Sequence, residues 1–198
     1  AADLDLRHVV ITSVTRDDLA DEGAGHFAAC VRAVRARLPE AMVEVLTPDF
    51  HARAECIETV LASGPAIFNH NIETVRRLTA VMRPQADYDR SLRVLRQAAA
   101  GGGQSEARDR RFTKSGLLVG LGERTEEILA TLADLRAAGC DIVTIGQYLA
   151  PTGRSAPIAK FYHPGEFEEL GAAARQMGFA SVASGPFVRS SYNADEVY

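Results

Sequence analysis

The sequence lacks tryptophan, contains only three cysteines and has no long apolar run. No stretch approaches the roughly 20 apolar residues that a membrane-spanning helix needs, and no charged-then-apolar leader opens the chain. We therefore expect no membrane association and a cytoplasmic location. Cys30, Cys56 and Cys140 lie far apart, so their spacing matches neither a disulfide framework nor a paired metal motif, and buried structural thiols are expected.

An excess of positive charge is also lacking. The net charge is -4 and the pI is near 5.8, so nucleic acid is not an expected partner. The five histidines show no paired metal spacing, and neither G-x-S-x-G nor G-x-x-x-x-G-K-[ST] occurs, which leaves zinc sites, serine hydrolases and P-loop proteins without support. With 198 residues, 46% of them hydrophobic, the chain is long enough for one domain with a substantial core.

Apolar runs of strand length alternate with helical periodicity along the chain. The predicted strands are 8–14, 43–47, 66–68, 117–119, 141–149 and a short 179–182. This alternation predicts a mostly parallel sheet, either a closed or partial βα barrel or a doubly wound sheet. In each of these folds, the carboxyl ends of the strands and the loops after them face one side, where ligands bind.

Polar clusters follow most of these strands, and each has more than one interpretation. Asn69, Asn71 and Glu73 are poor strand formers, and their donors and acceptors suit a ligand's hydroxyls or carboxylate. The glycine elbow at 120–123 brings backbone N–H groups and a helix N-terminus together, or simply lets helix and strand pack closely. Lys114 either neutralises a ligand carboxylate or extends along apolar surface. The neighbouring His70 is expected to be packed or hydrogen-bonded.

Six segments resemble, in order, motifs of the lipoyl synthase family of radical S-adenosylmethionine enzymes. They read V-V-I-T-S-V-T-R-D-D-L, E-V-L-T-P-D-F, F-N-H-N-I-E-T-V, T-K-S-G-L-L-V-G-L-G-E, T-I-G-Q-Y-L and G-P-F-V-R-S-S-Y, and together they extend over 9–192. The resemblance implies an α/β fold, a partial (β/α)6 radical-SAM barrel of mostly parallel strands. It implies a single domain over 1–198 that supplies barrel strands 2 to 6 and a C-terminal extension.

The resemblance also implies an activity and its cofactors. Members of the family are sulfurtransferases that insert two sulfur atoms, at C6 and C8, into an octanoyl chain carried on a lysine of a lipoyl carrier domain. They use S-adenosylmethionine and two [4Fe-4S] clusters, one to generate a radical and one as the sulfur donor. An unactivated C–H bond is beyond acid–base chemistry, which is why such cofactors are needed. Implied partners are octanoylated carrier domains, an electron donor and cluster-assembly proteins.

The residues implied to bind S-adenosylmethionine are those at the strand ends. They are Ser13, Thr15, Asp17, Asp18, Asn69, Asn71, Glu73, Lys114, Gly120, Gly122, Glu123, Gln147 and Tyr148. In the R-S-S-Y motif the family uses one serine as the fourth ligand of the auxiliary cluster. We assign Ser191 to that role, with Ser190 as the near alternative, and place Arg189 beside the substrate.

The chain departs from the family pattern in its cysteines. The family holds its clusters on C-x-x-x-C-x-x-C and C-x-x-x-x-C-x-x-x-x-x-C, which this chain does not contain. We therefore expect the C-terminal part of a longer enzyme, inactive alone. Arg124, Ser155 and His51 also depart from family motifs. The alternatives are a cluster-free βα domain that binds a nucleotide-like molecule, and a truncated product that folds poorly.

Overall fold

A computed structural model describes residues 1–101 and 111–191, which form one six-stranded parallel sheet with helices between the strands. The strands are β1 (His8–Thr12), β2 (Met42–Leu46), β3 (Ile67–Asn69), β4 (Phe112–Val119), β5 (Ile142–Gln147) and β6 (Ser181–Gly185). The helices are α1 (Ala24–Arg37), α2 (Ala54–Ala62), α3 (Arg76–Met82), α4 (Tyr88–Ala100), α5 (Thr125–Ala137) and α6 (Pro164–Gln176). Two short 3₁₀ helices cover Ala2–Leu4 and Phe50–Ala52.

The strand order follows the chain from β1 to β6, and every neighbouring pair is parallel. A doubly wound sheet would reverse its order at a switch point, so this order is that of a partial barrel. Right-handed crossovers between successive strands place the helices on one face of such a sheet. The expected α/β partial barrel is confirmed, and within the described residues β1 and β6 are its open edges.

The sheet differs from the sequence prediction at three strands. β4 starts at Phe112 instead of residue 117, so Lys114 and Gly116 lie within the strand. β6, in the expected C-terminal extension, pairs with β5 and continues the sheet. β3 ends at Asn69, so Asn71 and Glu73 do not continue it. Among residues 1–101 and 111–191, no helix combines the length and apolar character that crossing a bilayer requires.

The core lies between the sheet and the helices, in two clusters of buried apolar residues. Leu117 and Val119 of β4 pack into the larger cluster. Because side chains alternate along a strand, Lys114, Gly116 and Leu118 point to the opposite, helix-free face. That open face and the loops at its carboxyl edge carry the candidate site.

Candidate functional site

A cavity of about 590 Å³ lies at the carboxyl ends of the first three strands. Its wall combines residues from the loops after β1, β2 and β3 with the segment between α3 and α4. The lining is rich in polar side chains, among them Thr15, Thr47, His70, Asn71 and Arg83. The sequence therefore builds a polar cavity where parallel sheets usually bind ligands.

A second cavity of about 250 Å³ lies over β4 and β5. Its walls include Gly116, Thr144 and the C-terminal residues Arg189 and Ser190. Asn71 and Glu73 line both cavities, and they therefore form the boundary between them.

Asn71 is the most highly connected side chain at this boundary. Its Nδ2 group donates one hydrogen bond to Ser190 Oγ (2.9 Å) and another to Glu73 Oε1 (3.1 Å). Its Oδ1 atom is shielded from solvent and has no hydrogen-bond partner among the described residues. A buried carbonyl oxygen without a donor is costly, so this atom marks a place where a ligand's donor would be stabilised.

The backbone holds this boundary in a fixed geometry. Glu73 adopts a left-handed conformation (φ 66°), and its N–H and carbonyl bond to Gly116 O and Leu118 N at 2.9 and 2.8 Å. A Cβ atom on Gly116 would lie 2.8 Å from Asn71 Oδ1, so only glycine leaves room for the Asn71 amide against β4. Gly146 on β5 leaves room in the same way for the C-terminal segment, since a Cβ atom there would lie 2.2 Å from Val188 O.

Ser13, Thr15 and Asp17, which the resemblance implied to be cofactor-binding, line the large cavity. Asp18 instead turns outward to Arg16, with Arg16 Nε and Nη2 2.8 and 2.6 Å from its carboxylate oxygens. The hydrogen bond to Arg16 lowers the pKa of Asp18. Asp18 lines neither cavity, and its role as a cofactor ligand is not supported by this geometry.

Asn69 and Lys114 are placed differently from the expectation. Lys114 is 0% exposed, and its Nζ lies 3.0 Å from Oε2 of Glu44, which is also 0% exposed. Asn69 Nδ2 donates to Glu44 Oε1 at 2.7 Å, and His8 Nε2 lies 3.5 Å from Glu44 Oε2. Lys114 thus neutralises a protein carboxylate. Lys114 and Asn69 are fully buried on the sheet below the level of the cavities, and neither residue lines them.

The backbone N–H groups of the glycine elbow are hydrogen-bonded to Glu123, a residue of the same turn. Glu123 Oε1 and Oε2 accept hydrogen bonds from the N–H groups of Gly120 (2.6 Å) and Leu121 (2.9 Å). Gly120 and Gly122 both have positive φ, at 110° and 101°, and a Cβ atom on Gly120 would lie 2.6 Å from Lys160 O. These contacts favour the packing interpretation of the glycines, because the N–H groups expected to meet a ligand already have an acceptor.

Gln147 and Tyr148 fasten a loop. Gln147 Nε2 donates to the carbonyls of Tyr148 and Lys160, both at 3.0 Å, and its Oε1 accepts from Tyr162 N at 2.9 Å. Tyr148 Oη donates to Ala156 O at 3.1 Å. Neither residue lines either cavity, so their side chains position the loop before α6.

Besides His51, three basic side chains of the large cavity were not predicted as ligands from the sequence. His70 is buried, with Nδ1 3.0 Å from Thr47 O and Nε2 3.0 Å from Ser91 Oγ, and its burial lowers its pKa. The expectation that His70 is hydrogen-bonded is confirmed. Arg90 Nε donates to Asp49 Oδ2 at 2.6 Å. Arg83 lines the cavity, and none of the described residues accepts a hydrogen bond from its guanidinium group.

The only sequence signal for Arg83 was its place directly before Pro84, at the end of a helical stretch. That position marks a helix end but not the direction of a side chain. Arg83 reaches the cavity because the chain turns between α3 and α4 beside the ends of β2 and β3.

The three cysteines lie outside both cavities. Cys140 is fully buried, and desolvation raises the pKa of its thiol to about 12. Cys56 is also buried and its pKa is raised for the same reason, whereas Cys30 is partly exposed. The structural interpretation is confirmed for Cys56 and Cys140.

Asp17, Glu22 and His51 bring ligand-type atoms within 4.8 Å of one another. The Glu22 carboxylate already accepts a hydrogen bond from His51 Nδ1 at 3.0 Å. It also forms an ion pair with Arg53, whose Nη1 is 3.4 Å away. These contacts explain why Glu22 and His51 lie close together.

A family model described as the radical SAM superfamily matches residues 1–135. Lipoyl synthase of Nitratidesulfovibrio vulgaris (strain Hildenborough) is 52% identical over 198 residues, covering 100% of this chain and 64% of the relative. Lipoyl synthase 2 of Gloeobacter violaceus is 55% identical over 193 residues, covering 98% and 65%. Lipoyl synthase of Pyrobaculum calidifontis is 54% identical over 200 residues, covering 100% and 66%. The resemblance to lipoyl synthases is confirmed, and the chain spans less than two thirds of these relatives' length.

Solved structures of low sequence identity share the fold. HydG, a maturase of the [FeFe]-hydrogenase, has a TM-score of 0.71 at 15% identity, covering 90% of this chain and 41% of HydG. Streptococcus suis SuiB bound to S-adenosylmethionine has a TM-score of 0.61 at 13% identity, covering 85% and 36%. At these identities the similarity supports the architecture alone.

Proposed function

We propose that this chain, which belongs to the radical SAM superfamily, is part of a lipoyl synthase. The whole enzyme would insert two sulfur atoms, at C6 and C8, into an octanoyl chain on a carrier-domain lysine. The observation that carries the proposal is the pair of cavities divided by Asn71 and Glu73, at the carboxyl edge of a radical-SAM sheet. The motif resemblance and the lipoyl synthases among its relatives supply the substrate class.

The large cavity suits S-adenosylmethionine chemically. The Glu73 carboxylate in its wall suits ribose hydroxyls. Arg83 offers a guanidinium fork for the carboxylate of the methionine moiety. The volume of about 590 Å³ is in the range of cavities that enclose molecules of this size. When bound, this cofactor supplies the radical that breaks an unactivated C–H bond.

Iron–sulfur clusters fit the chain only in part. Cys30, Cys56 and Cys140 lie on separate elements and line neither cavity, so they do not form a cluster site there. We derive no step through a cluster. Ser191, the serine assigned as a ligand, and its alternative Ser190 both line the small cavity; Ser190 Oγ contacts Asn71 there, and Ser191 is exposed.

Arg189 is the residue proposed to contact the carrier-domain substrate. Arg189 lines the small cavity, and its Nη1 donates to Val188 O at 2.6 Å. Its remaining N–H groups can meet the carbonyl of an octanoyl-lysine amide. An electron donor and cluster-assembly proteins are the other partners that such an enzyme requires.

The direct test uses the full-length protein that contains this chain, reconstituted with iron and sulfide. We expect 5′-deoxyadenosine and a lipoyl group on an octanoylated carrier domain, detected by mass spectrometry. The substitution Arg83→Met should weaken S-adenosylmethionine binding about tenfold or more, the value of a charge-assisted hydrogen bond, with Arg93→Met on α4 as the matched control. Failure of the unsubstituted protein to produce either product would refute the proposal.

A cluster-free domain that binds a nucleotide-like molecule is the second candidate. It is favoured by the same cavities, whose walls contain no cysteine among the described residues. Iron and sulfide analysis of the reconstituted full-length protein separates the two: stoichiometric iron supports the enzyme, and nucleotide binding without iron supports the alternative.

A further inference from the structure

The C-terminal segment 188–191 lies over the open face of the sheet, where two glycines make room for it. A Cβ atom on Gly146 would lie 2.2 Å from Val188 O, and a Cβ atom on Gly116 would meet the Asn71 amide that contacts Ser190. The segment therefore rests on the sheet at a site shaped to accept it, although it is 119 residues away from Asn71 in sequence.

Asn71 is the described residue that joins this segment to the wall of the large cavity. Both of its N–H donors are in use, one to Ser190 Oγ and one to Glu73 Oε1. Its acceptor, Oδ1, is buried and unpartnered. A ligand in the large cavity that binds the Glu73 carboxylate holds the acceptor of one Nδ2 hydrogen, and because the amide group is planar this also fixes the direction of the other hydrogen, toward Ser190.

We propose that Asn71 is a positioning residue that couples ligand binding in the large cavity to the placement of the Ser190 hydroxyl. The inference rests on the proposed function in one respect, the identity of the ligand as S-adenosylmethionine. Coupling of this kind is reciprocal: if the bound ligand holds Ser190 through Asn71, then Ser190 must strengthen ligand binding by the same factor.

Reciprocity gives a quantitative test in the reconstituted full-length protein. S-adenosylmethionine is titrated by calorimetry into the unsubstituted protein, Asn71→Ala, Ser190→Ala and the double variant, at matched iron content. We expect Ser190→Ala to weaken binding roughly two- to tenfold, the value of one hydrogen bond, and to have no further effect in the Asn71→Ala background. Additive effects, or an unchanged affinity of Ser190→Ala, would overturn the proposal.

Ser184→Ala is the matched control. Ser184 lies on β6, and its hydroxyl donates to Phe167 O at 2.7 Å, on the side facing α6. The same serine-to-alanine change in the same C-terminal region should leave the affinity unaltered. If the Asn71→Ala protein does not fold, Asn71→Leu keeps a side chain of similar size but has no polar atom to contact Ser190, and the same non-additivity is expected.

A second measurement does not depend on the ligand. Trypsin cleavage of the Arg189–Ser190 bond, followed by mass spectrometry, reports how often the segment leaves the sheet. Without any ligand, Asn71→Ala should accelerate this cleavage roughly two- to tenfold. An unchanged rate would overturn the positioning role, whereas absence of S-adenosylmethionine binding by the unsubstituted protein would instead contradict the proposed function.

Discussion

The buried ion pair between Lys114 and Glu44 gives the sharpest stability prediction. Both side chains are 0% exposed, and Nζ and Oε2 are 3.0 Å apart. At an effective dielectric constant of about 20, this separation corresponds to an attraction of about 5 kcal/mol. Each charge also lost several kcal/mol of hydration on burial, so the pair as a whole contributes little net stability.

Removing one partner leaves the other charge buried without compensation, which is strongly destabilising. Lys114→Met leaves Glu44 charged and buried, with Asn69 Nδ2 at 2.7 Å and His8 Nε2 at 3.5 Å as its nearest remaining partners. We expect the free energy of unfolding to fall by about 3–5 kcal/mol. Adding Glu44→Gln, which retains an acceptor for Asn69, should bring the double variant within about 2 kcal/mol of the parent.

Urea unfolding of the cofactor-free protein, monitored by circular dichroism, measures these differences. Lys160→Met is the matched control, because Lys160 is half-exposed and its partner Glu166 is also exposed. Exposed pairs contribute little to stability, so this variant should remain close to the parent. If the Lys114→Met protein and the double variant are equally unstable, Lys114 contributes mainly through packing, and the electrostatic argument is refuted.

Three further predictions follow from individual contacts. His70 is buried with a lowered pKa, so below pH about 6.5 the unfolded state takes up a proton that the folded state does not; stability should fall by up to about 1.4 kcal/mol per pH unit, and His70→Gln should flatten this dependence in urea unfolding. Iodoacetamide at pH 8 should label Cys30 before Cys140, whose pKa is raised to about 12; rapid native-state labelling of Cys140 would contradict its burial. Gly146→Ala should displace the C-terminal segment and lower the melting temperature, at a cost of about 1–3 kcal/mol, whereas Gly153→Ala, with no neighbour within 4 Å, should not.

The elements with strong periodicity were predictable because their pattern is local. The apolar run at 142–145 and the stripe Ile128, Leu132 and Leu135 identify β5 and α5 without any knowledge of their neighbours. β4 was predicted too short, since Thr113, Lys114 and Ser115 read as polar loop residues. They are part of the strand because its neighbours supply partners for these side chains, as Glu44 does for Lys114.

The site was predictable at the level of loops and not of side chains. Asn71, Glu73 and the R-S-S segment meet as expected, because parallel strands present their carboxyl ends on one side. Glu123 lies in the loop after β4 and Gln147 at the end of β5, as predicted, yet their side chains bond to backbone N–H groups. A sequence pattern gives the donors and acceptors of a residue but not which atoms will reach them.

The sequence by itself determined the alternation of strands and helices, the family resemblance and the set of polar loops, because each depends on residues that are close along the chain. Only the tertiary structure decided which polar residues face a cavity and which compensate one another, such as Lys114 with Glu44 and Asn71 with Ser190. The physical reason is that a hydrogen bond or ion pair depends on a few ångströms of separation. That separation is set by strand register and chain return over distances of 70 and 119 residues.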